Sequence, residues 1–323
     1  MRYEFIPYDI AFRESIATGA GAWRERRGAW LRLEDDQGRV GFGEAAPLAP
    51  VDSADALAKA LESGPFREAA FDLAALDIEA QRFGRPLAYL LCDTPRSQVN
   101  VNTLVLGTGA EAAATEAARA VEAGFRTLKL KVAMAPPDDD IARVLAVRER
   151  VGPGVALRID ANGAWDEATA LRVLRALEPC DIEYVEDPVA GELRAVGRRT
   201  NIPVAADPRT LDEGWRILRE RGADVLVLKA MALGGVRPTR ELAVAAIEAG
   251  LGVVVTSIFD TAIGVAGALH LAASLPGPER AHGLATVGLL MEAPVEGLDP
   301  PHRGVMQLPK GPGLGVRLRE RAP

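Results

Sequence analysis

The chain has 323 residues, 48% of them hydrophobic and 26% charged, which at about 150 residues per domain leaves room for two domains or for one large barrel carrying an addition. That composition excludes disordered and collagen-like chains, and no window approaches the roughly 18 uninterrupted apolar residues of a membrane span, so a soluble protein is expected. The 38 basic residues against 45 acidic ones give a net charge of −7 and are scattered along the chain, which excludes nucleic acid as the expected partner and points to a small molecule. Cys92 and Cys180 cannot build a disulfide framework and match no metal-ligand spacing. The start MRYEFIPYDIAF lacks the basic and apolar regions of a signal peptide, so a cytoplasmic location is expected.

Residues 1 to about 44 hold short alternating segments, with DDQG at 35–38 as a turn, and predict a small antiparallel sheet. The glycine-rich stretch from Ala17 to Gly28 has few apolar anchors and predicts a mobile loop at the edge of that sheet. Residues 66–83 carry apolar side chains at helical spacing until Gly84 and Pro86 stop the pattern. From residue 99 a repeat begins, in which short β-branched runs alternate with alanine- and leucine-rich helical stretches. The runs are 99–106, 126–132, 155–160, 182–187, 202–207, 224–229, 252–257 and 281–286. Eight such units predict an α/β protein built on a parallel (β/α) barrel, with a doubly wound sheet as the competitor that counting does not exclude. After residue 290 the chain is rich in proline and glycine, and its last segment, GLGVRLRER, is placed to return to the N-terminal sheet.

Four of these runs end in an ionisable residue: Asp160, Glu186, Asp207 and Lys229, spaced about one βα unit apart. In a barrel, strand ends share one face, so the four side chains converge there. Three converging carboxylates repel by about 4 kcal/mol per pair at 4 Å and an effective dielectric near 20. A hard divalent cation relieves that repulsion, and Mg²⁺, which keeps part of its shell for water or substrate oxygens, fits best. For any single Asp a helix N-cap is the competing role, but it does not account for three in ordered series. Lys129 and Lys131, two apart on the run 126–132, point to one face. Crowding by a second lysine and a metal predicts a lowered lysine pKa and a general base, while Lys129 has the equal alternative of pairing with barrel carboxylates.

Other features carry less. Gly107-Thr108-Gly109 lacks the third glycine and the later acidic residue of a dinucleotide site and reads as an ordinary loop. His270 reads as a packing histidine, and His282 opens its strand, at the face opposite the expected site. Trp23, Trp30 and Trp165 read as packing residues, with Trp23 left the option of facing a ligand.

The elements GFGEAAP at 41–47, LKLK at 128–131, RIDANGAW at 158–165, YVEDP at 184–188, AADP at 205–208, VLKAMALGG at 227–235 and TSIFDTAIGVAGALHLAA at 256–273 resemble, in order and spacing, the enolase superfamily. The resemblance implies a (β/α)7β TIM-like barrel over residues 99–290 under an α+β capping domain of residues 1–98, completed by residues 291–323. It implies Mg²⁺, with Mn²⁺ as a substitute, on Asp160, Glu186 and Asp207, and acid–base lysines Lys131 and Lys229 on opposite faces of a small-molecule carboxylate. Lysines on the second and sixth barrel strands match the muconate lactonizing subgroup; a mandelate racemase-type histidine is replaced by Ser257. Lys129, Arg158, Asn162, Ser257 and Trp23 are the expected substrate-contacting or supporting residues. Within the subgroup the short chain, the stretch from Gly19 to Leu33 and AHGLATVGLL at 281–290 are similar to o-succinylbenzoate synthases, lyases that dehydrate a cyclohexadiene carboxylate through an enediolate. N-acylamino acid racemases and dipeptide epimerases are the alternative, a silent metal-binding barrel is a third, and a homo-oligomer is left open. Pro208 and Ala230 stand where many relatives carry Glu and Pro.

Overall fold

A computed structural model describes residues 1–18, 21–47, 54–291 and 294–319. The chain opens with an antiparallel sheet of β1 (Arg2–Thr18), β2 (Gly21–Glu34) and β3 (Val40–Ala45), in that order. The β2–β3 turn is closed by the Asp35 carboxylate, which accepts from the Gln37 and Arg39 amides at 2.9 Å each. The glycine-rich stretch departs from the expected loop. Residues 21–28 are part of β2 and pair with β1, Gly21 against Thr18 and Gly28 against Tyr8. Main-chain pairing along a long hairpin supplies the order that the side chains do not; Gly19 and Ala20 lie outside the described residues.

Helix α1 (Ala54–Ala60) is followed by α2 (Pro65–Phe83), which starts on a proline and ends on Gly84 in the left-handed conformation. Ala70, Ala74 and Ile78 on its buried face pack with Ala29, Leu31, Leu33 and Ala45 of the sheet. A side chain at Gly41 or Gly43 would collide with the Ala74 or Ala70 carbonyl, so the two glycines of β3 let the helix sit directly on the sheet. Helix α3 (Ala88–Leu91) and β4 (Gln98–Asn100) lead into the barrel.

Seven parallel strands follow with their helices: β5 (Thr103–Val105), α4 (Ala110–Glu122), β6 (Thr127–Lys131), α5 (Pro137–Val151), β7 (Ala156–Asp160), α6 (Glu167–Leu177), β8 (Ile182–Glu186), α7 (Leu193–Gly197), β9 (Val204–Ala206), α8 (Leu211–Glu220), β10 (Val225–Leu228), α9 (Val236–Glu248), β11 (Gly252–Val255) and α10 (Ala262–Ala273). Their spatial order is their chain order, β5 to β11. A doubly wound sheet reverses that order at its switch point, so the strand order rules that competitor out. The eighth run, 281–286, forms isolated bridges: His282 to Val101 on one edge, and Gly283 to Thr256 on the other. These bridges join the two edges of the sheet into a ring.

The C-terminal segment adds β12 (Val295–Glu296), β13 (Val305–Gln307) and β14 (Arg317–Leu318). Among the described residues it does not join the N-terminal sheet as a strand. β14 pairs with β12, β13 pairs with β4, and the Leu314 amide donates to Asp77 of α2 at 2.7 Å.

A buried joint holds the N-terminal sheet to the barrel. Glu44 of β3 reaches the start of α10, accepting from the Thr261 amide at 2.9 Å, the Thr261 hydroxyl at 2.7 Å and the Gly264 amide at 2.8 Å. Tyr8 donates to the same carboxylate at 2.6 Å, and the Trp30 indole donates to the Thr261 hydroxyl at 2.9 Å. Glu44 is wholly buried, and the helix dipole favours its charge there. Trp30 and Trp165 are buried as expected, and so is His270, which accepts from the Ala88 amide and meets the Leu314 carbonyl.

Candidate active site

Strand register decides which side chains meet. Lys131, Asp160 and Glu186 are direct neighbours across β6, β7 and β8, and Glu186 aligns with Ala205 of β9. The residues two positions upstream, Lys129, Arg158 and Tyr184, form the next inward layer. Asp207 and Lys229 each follow the last residue of their strand, β9 and β10. Counting round the ring, β10 lies four strands from β6, so in a barrel of eight Lys229 faces Lys131 across the axis.

The Lys131 ammonium donates to Asp160 Oδ2 and to Asn162 Oδ1, each at 2.7 Å. Lys129 lies between Asp160 Oδ2, at 2.9 Å, and Glu186 Oε2, at 2.7 Å. Lys229 pairs with Asp207 Oδ2. For Lys129 the pairing alternative is therefore the one the structure displays. Burial opposes its charge, but Asp160 and Glu186 outweigh that and hold its pKa well above the ordinary lysine value. Lys229 is likewise raised, burial being outweighed by Asp207 and Glu186. Carboxylates rather than the neighbouring ammonium are thus the groups nearest Lys129.

These residues line a cavity of about 500 Å³. Lys129, Lys131, Asp160, Asn162, Glu186, Asp207 and Lys229 form its charged floor, and Trp23, Ile258 and Phe259 part of its apolar wall. Ser257 is there too, its hydroxyl 2.6 Å from that of Thr286. Arg158 is not. It turns to the opposite end of the barrel, bonds Glu183 at 2.8 Å, Asn102 Oδ1 at 3.0 Å and the Ala281 carbonyl at 2.7 Å, and lies over the Tyr184 ring. A long side chain one layer below Asp160 finds its acceptors downward. His282 is buried beside it and accepts from the Val255 amide, outside the cavity lining. Thr286 and Phe259 are cavity residues that the sequence reading missed. Thr286 ends the eighth run, so the strand-end rule applied to the carboxylates was enough to find it; Phe259 sits in a loop with φ of +63°, and no periodicity points to it.

Among the described residues no three acidic, histidine or cysteine side chains already surround one point as a metal cage would, and the Lys129 ammonium lies between two of the carboxylates. The carboxylates nonetheless crowd one another. Asp207 Oδ1 is buried with no hydrogen-bond partner. Glu186 is pushed above its ordinary pKa by burial and by Asp160 and Asp207, with Lys129 working the other way. Asp187, immediately behind, is pushed up to about 8 by burial, then by Asp207 and Glu186. An all-oxygen donor set with a free carboxylate oxygen and mutual repulsion fits a hard divalent cation. By contrast, Asp166 is an N-cap: its side chain accepts from the Thr169 amide at 2.7 Å.

Comparison with known proteins agrees with the barrel. Residues 112–322 match the family model described as enolase C-terminal domain-like, and the chain belongs to the enolase superfamily. It is 42% identical to an o-succinylbenzoate synthase of Thermobifida fusca over 261 residues, 79% of this chain and 74% of that one. Among solved structures it is similar to the substrate-liganded L-Ala-D/L-Glu epimerase of Bacillus subtilis, with TM-score 0.90, 27% identity and 98% of each chain covered. It is also similar to a dipeptide epimerase of Enterococcus faecalis complexed with Mg and a dipeptide, with TM-score 0.88, 27% identity and 97% and 98% coverage. A muconate lactonizing enzyme of Pseudomonas fluorescens complexed with muconolactone gives 0.87 at 25% identity, over 98% and 96%. Among the described residues no helix is long and apolar enough to cross a membrane.

Proposed function

We propose that the chain is an o-succinylbenzoate synthase, a lyase of menaquinone biosynthesis that dehydrates 2-succinyl-6-hydroxy-2,4-cyclohexadiene-1-carboxylate to o-succinylbenzoate. The observation that carries this reading is the pair of lysines four strands apart on one cavity, with carboxylates on the strands between; likeness to the Thermobifida fusca synthase favours dehydration over the other reactions of the fold.

Asp160, Glu186 and Asp207 would hold Mg²⁺, with Mn²⁺ as a substitute, and the ion would neutralise the second negative charge that grows on the substrate carboxylate as its α-proton leaves. Lys131 takes that proton, and the C–H electrons pass into an enediolate. The enediolate collapses, the C–O bond to the ring hydroxyl breaks, and Lys131 returns the proton so that water leaves and the ring becomes aromatic. Lys229 keeps its charge and faces the delocalised anion. Asn162 fixes the direction from which Lys131 approaches, and Trp23 and Phe259 exclude water from the ring's apolar side. Residues 1–98 with 291–323 serve as the capping domain of a barrel at 99–290, in a cytoplasmic enzyme whose oligomeric state, a homo-oligomer included, is left to measurement.

A second reading has its own support. The structural neighbours include epimerases, and a racemase needs a proton-transferring residue on each face of the α-carbon, a role Lys229 is placed to fill. Incubation in D₂O with Mg²⁺ separates the two. A synthase dehydrates the cyclohexadiene substrate rapidly and exchanges the α-proton of N-succinylamino acids at least tenfold more slowly. Faster amino-acid exchange, or no dehydration, overturns the synthase reading and leaves the superfamily membership intact.

A further inference from the structure

Outside the cavity, α5 buries an ion pair of its own. Asp140 and Arg143 are 0% and 6% exposed, and Arg143 Nη2 meets Asp140 Oδ1 at 2.8 Å. The same Nη2 donates to the main-chain carbonyl of Lys131, the last residue of β6. Asp140 Oδ2 accepts from the Ala133 amide at 2.6 Å. One charged pair therefore grips the peptide groups on both sides of Val132, where the chain leaves the barrel. Ala133 adopts φ of +62°, a left-handed conformation that costs a non-glycine residue roughly 1 kcal/mol or more and persists only where the surroundings impose it. Arg143 Nη1 also reaches the Gly107 carbonyl at 3.3 Å. The Leu106 and Gly107 amides, the remnant of the motif that lacked a nucleotide fingerprint, donate to Glu116 at 2.9 and 2.7 Å. The ends of β5 and β6 are thus tied from outside the ring.

The pair is poorly explained as a stabiliser. A buried ion pair is commonly matched or bettered by apolar residues of similar size. Burial pushes the Asp140 carboxyl above its ordinary range even with the Ala133 amide and Arg143 beside it, and Arg143 Nε is buried with no partner. What the pair does supply is a fixed origin for a side chain with four rotatable bonds.

We propose that Asp140 and Arg143 are positioning residues that set where the Lys131 ammonium stands relative to the substrate. The proposal rests on Lys131 being the base, as in the proposed function. A displacement of about 1 Å at a catalytic group can cost about 10²-fold in rate, so Arg143→Met should lower kcat about 10- to 100-fold while KM stays within about twofold. An α-deuterated substrate should then show a larger primary isotope effect on kcat than in the parent, since proton removal becomes slower relative to the other steps. Arg143→Lys, which keeps a donor for the Lys131 carbonyl, should recover part of the rate.

The assay uses the Mg²⁺-loaded full chain and whichever substrate the parent turns over, with thermal unfolding as the control for folding. A folded Arg143→Met protein with kcat within twofold of the parent, or with its loss carried by KM, overturns the proposal. If Arg143→Met does not fold, Asp140→Asn decides by the same readouts, and failure of both to fold also overturns it, since the pair is then a folding element. Lys131→Ala is measured alongside: if it remains active, the base assignment itself has failed, whereas a dead Lys131→Ala beside a normal Arg143→Met removes only the positioning role.

Discussion

The two ends of the barrel interior both hold buried charge, and they treat it in opposite ways. At the lower end Arg158 is completely buried, yet its donors meet Glu183, Asn102 and the Ala281 carbonyl, and Arg280 braces Glu183 from the other side at 2.8 Å. At the upper end three carboxylates crowd together, one of their oxygens has no partner, and a cavity opens above them. The lower charges are enclosed by their partners, whereas the upper ones border open space. Residue type alone does not separate the two, because Arg158 and Asp160 sit two positions apart on the same inward face of β7.

The largest effect should come from emptying the upper end of its cation. Treatment with EDTA should abolish turnover and Mg²⁺ should restore it, while Asp207→Asn should weaken Mg²⁺ binding by at least about tenfold and Asp166→Asn should leave it unchanged, as titration calorimetry would read. Full turnover by metal-free protein would erase the contrast between the ends.

A crossed pair of substitutions comes next. Lys131→Ala should lower kcat by at least about 10³-fold, the joint loss of a base and a charge, with little change in unfolding free energy. Arg158→Met should do the reverse, costing about 3 kcal/mol of stability by leaving Glu183 less completely paired with kcat of the folded protein nearly intact. If Arg158→Met folded normally and lost its rate, the lower end would belong to the active site.

Per pH unit and per residue, the smallest effect concerns the buried histidines. Burial lowers His270 to about 4, and burial together with Arg158 and Arg96 lowers His282 to about 3. Both folded values lie below the unfolded value near 6.5, so the unfolded chain takes up protons first as pH falls. Stability should decline from about pH 6.5 downward, by about 1.4 kcal/mol per pH unit for each histidine, until each folded value is reached. Urea unfolding between pH 6.5 and 4 measures the slope, and His270→Gln should reduce it by about one proton's worth; an unchanged slope would show that His270 is not the group responsible.

Much of this was legible in the chain. Strand ends at Asp160, Glu186, Asp207 and Lys229 could be placed because a barrel converts sequence order into angular order, and α2 could be bounded to within a residue by its apolar spacing from 66 and by Gly84. The partner of Lys129 was not legible, since i, i+2 spacing fixes a face but not which carboxylate across the ring lies nearest. Where Arg158 points was not legible either, because the direction of a long side chain depends on acceptors 25 and 56 residues away. The hairpin at 21–28 was hidden because main-chain pairing leaves no mark on a stretch of mostly glycine and charged residues. The hold of α5 on Lys131 runs partly through carbonyl and amide groups, which every residue carries and no pattern distinguishes.

The Glu44 joint has a consequence for the order in which the molecule can be assembled. The carboxylate that completes the start of α10 is made 217 residues before the amide it receives, so during synthesis the strand that carries it leaves the ribosome long before its counterpart. A barrel cut free at residue 99 would carry α10 with its first amides unanswered, and the sheet cut free would bury Glu44 against nothing. The N-terminal sheet is in that sense a component of the barrel's final helix.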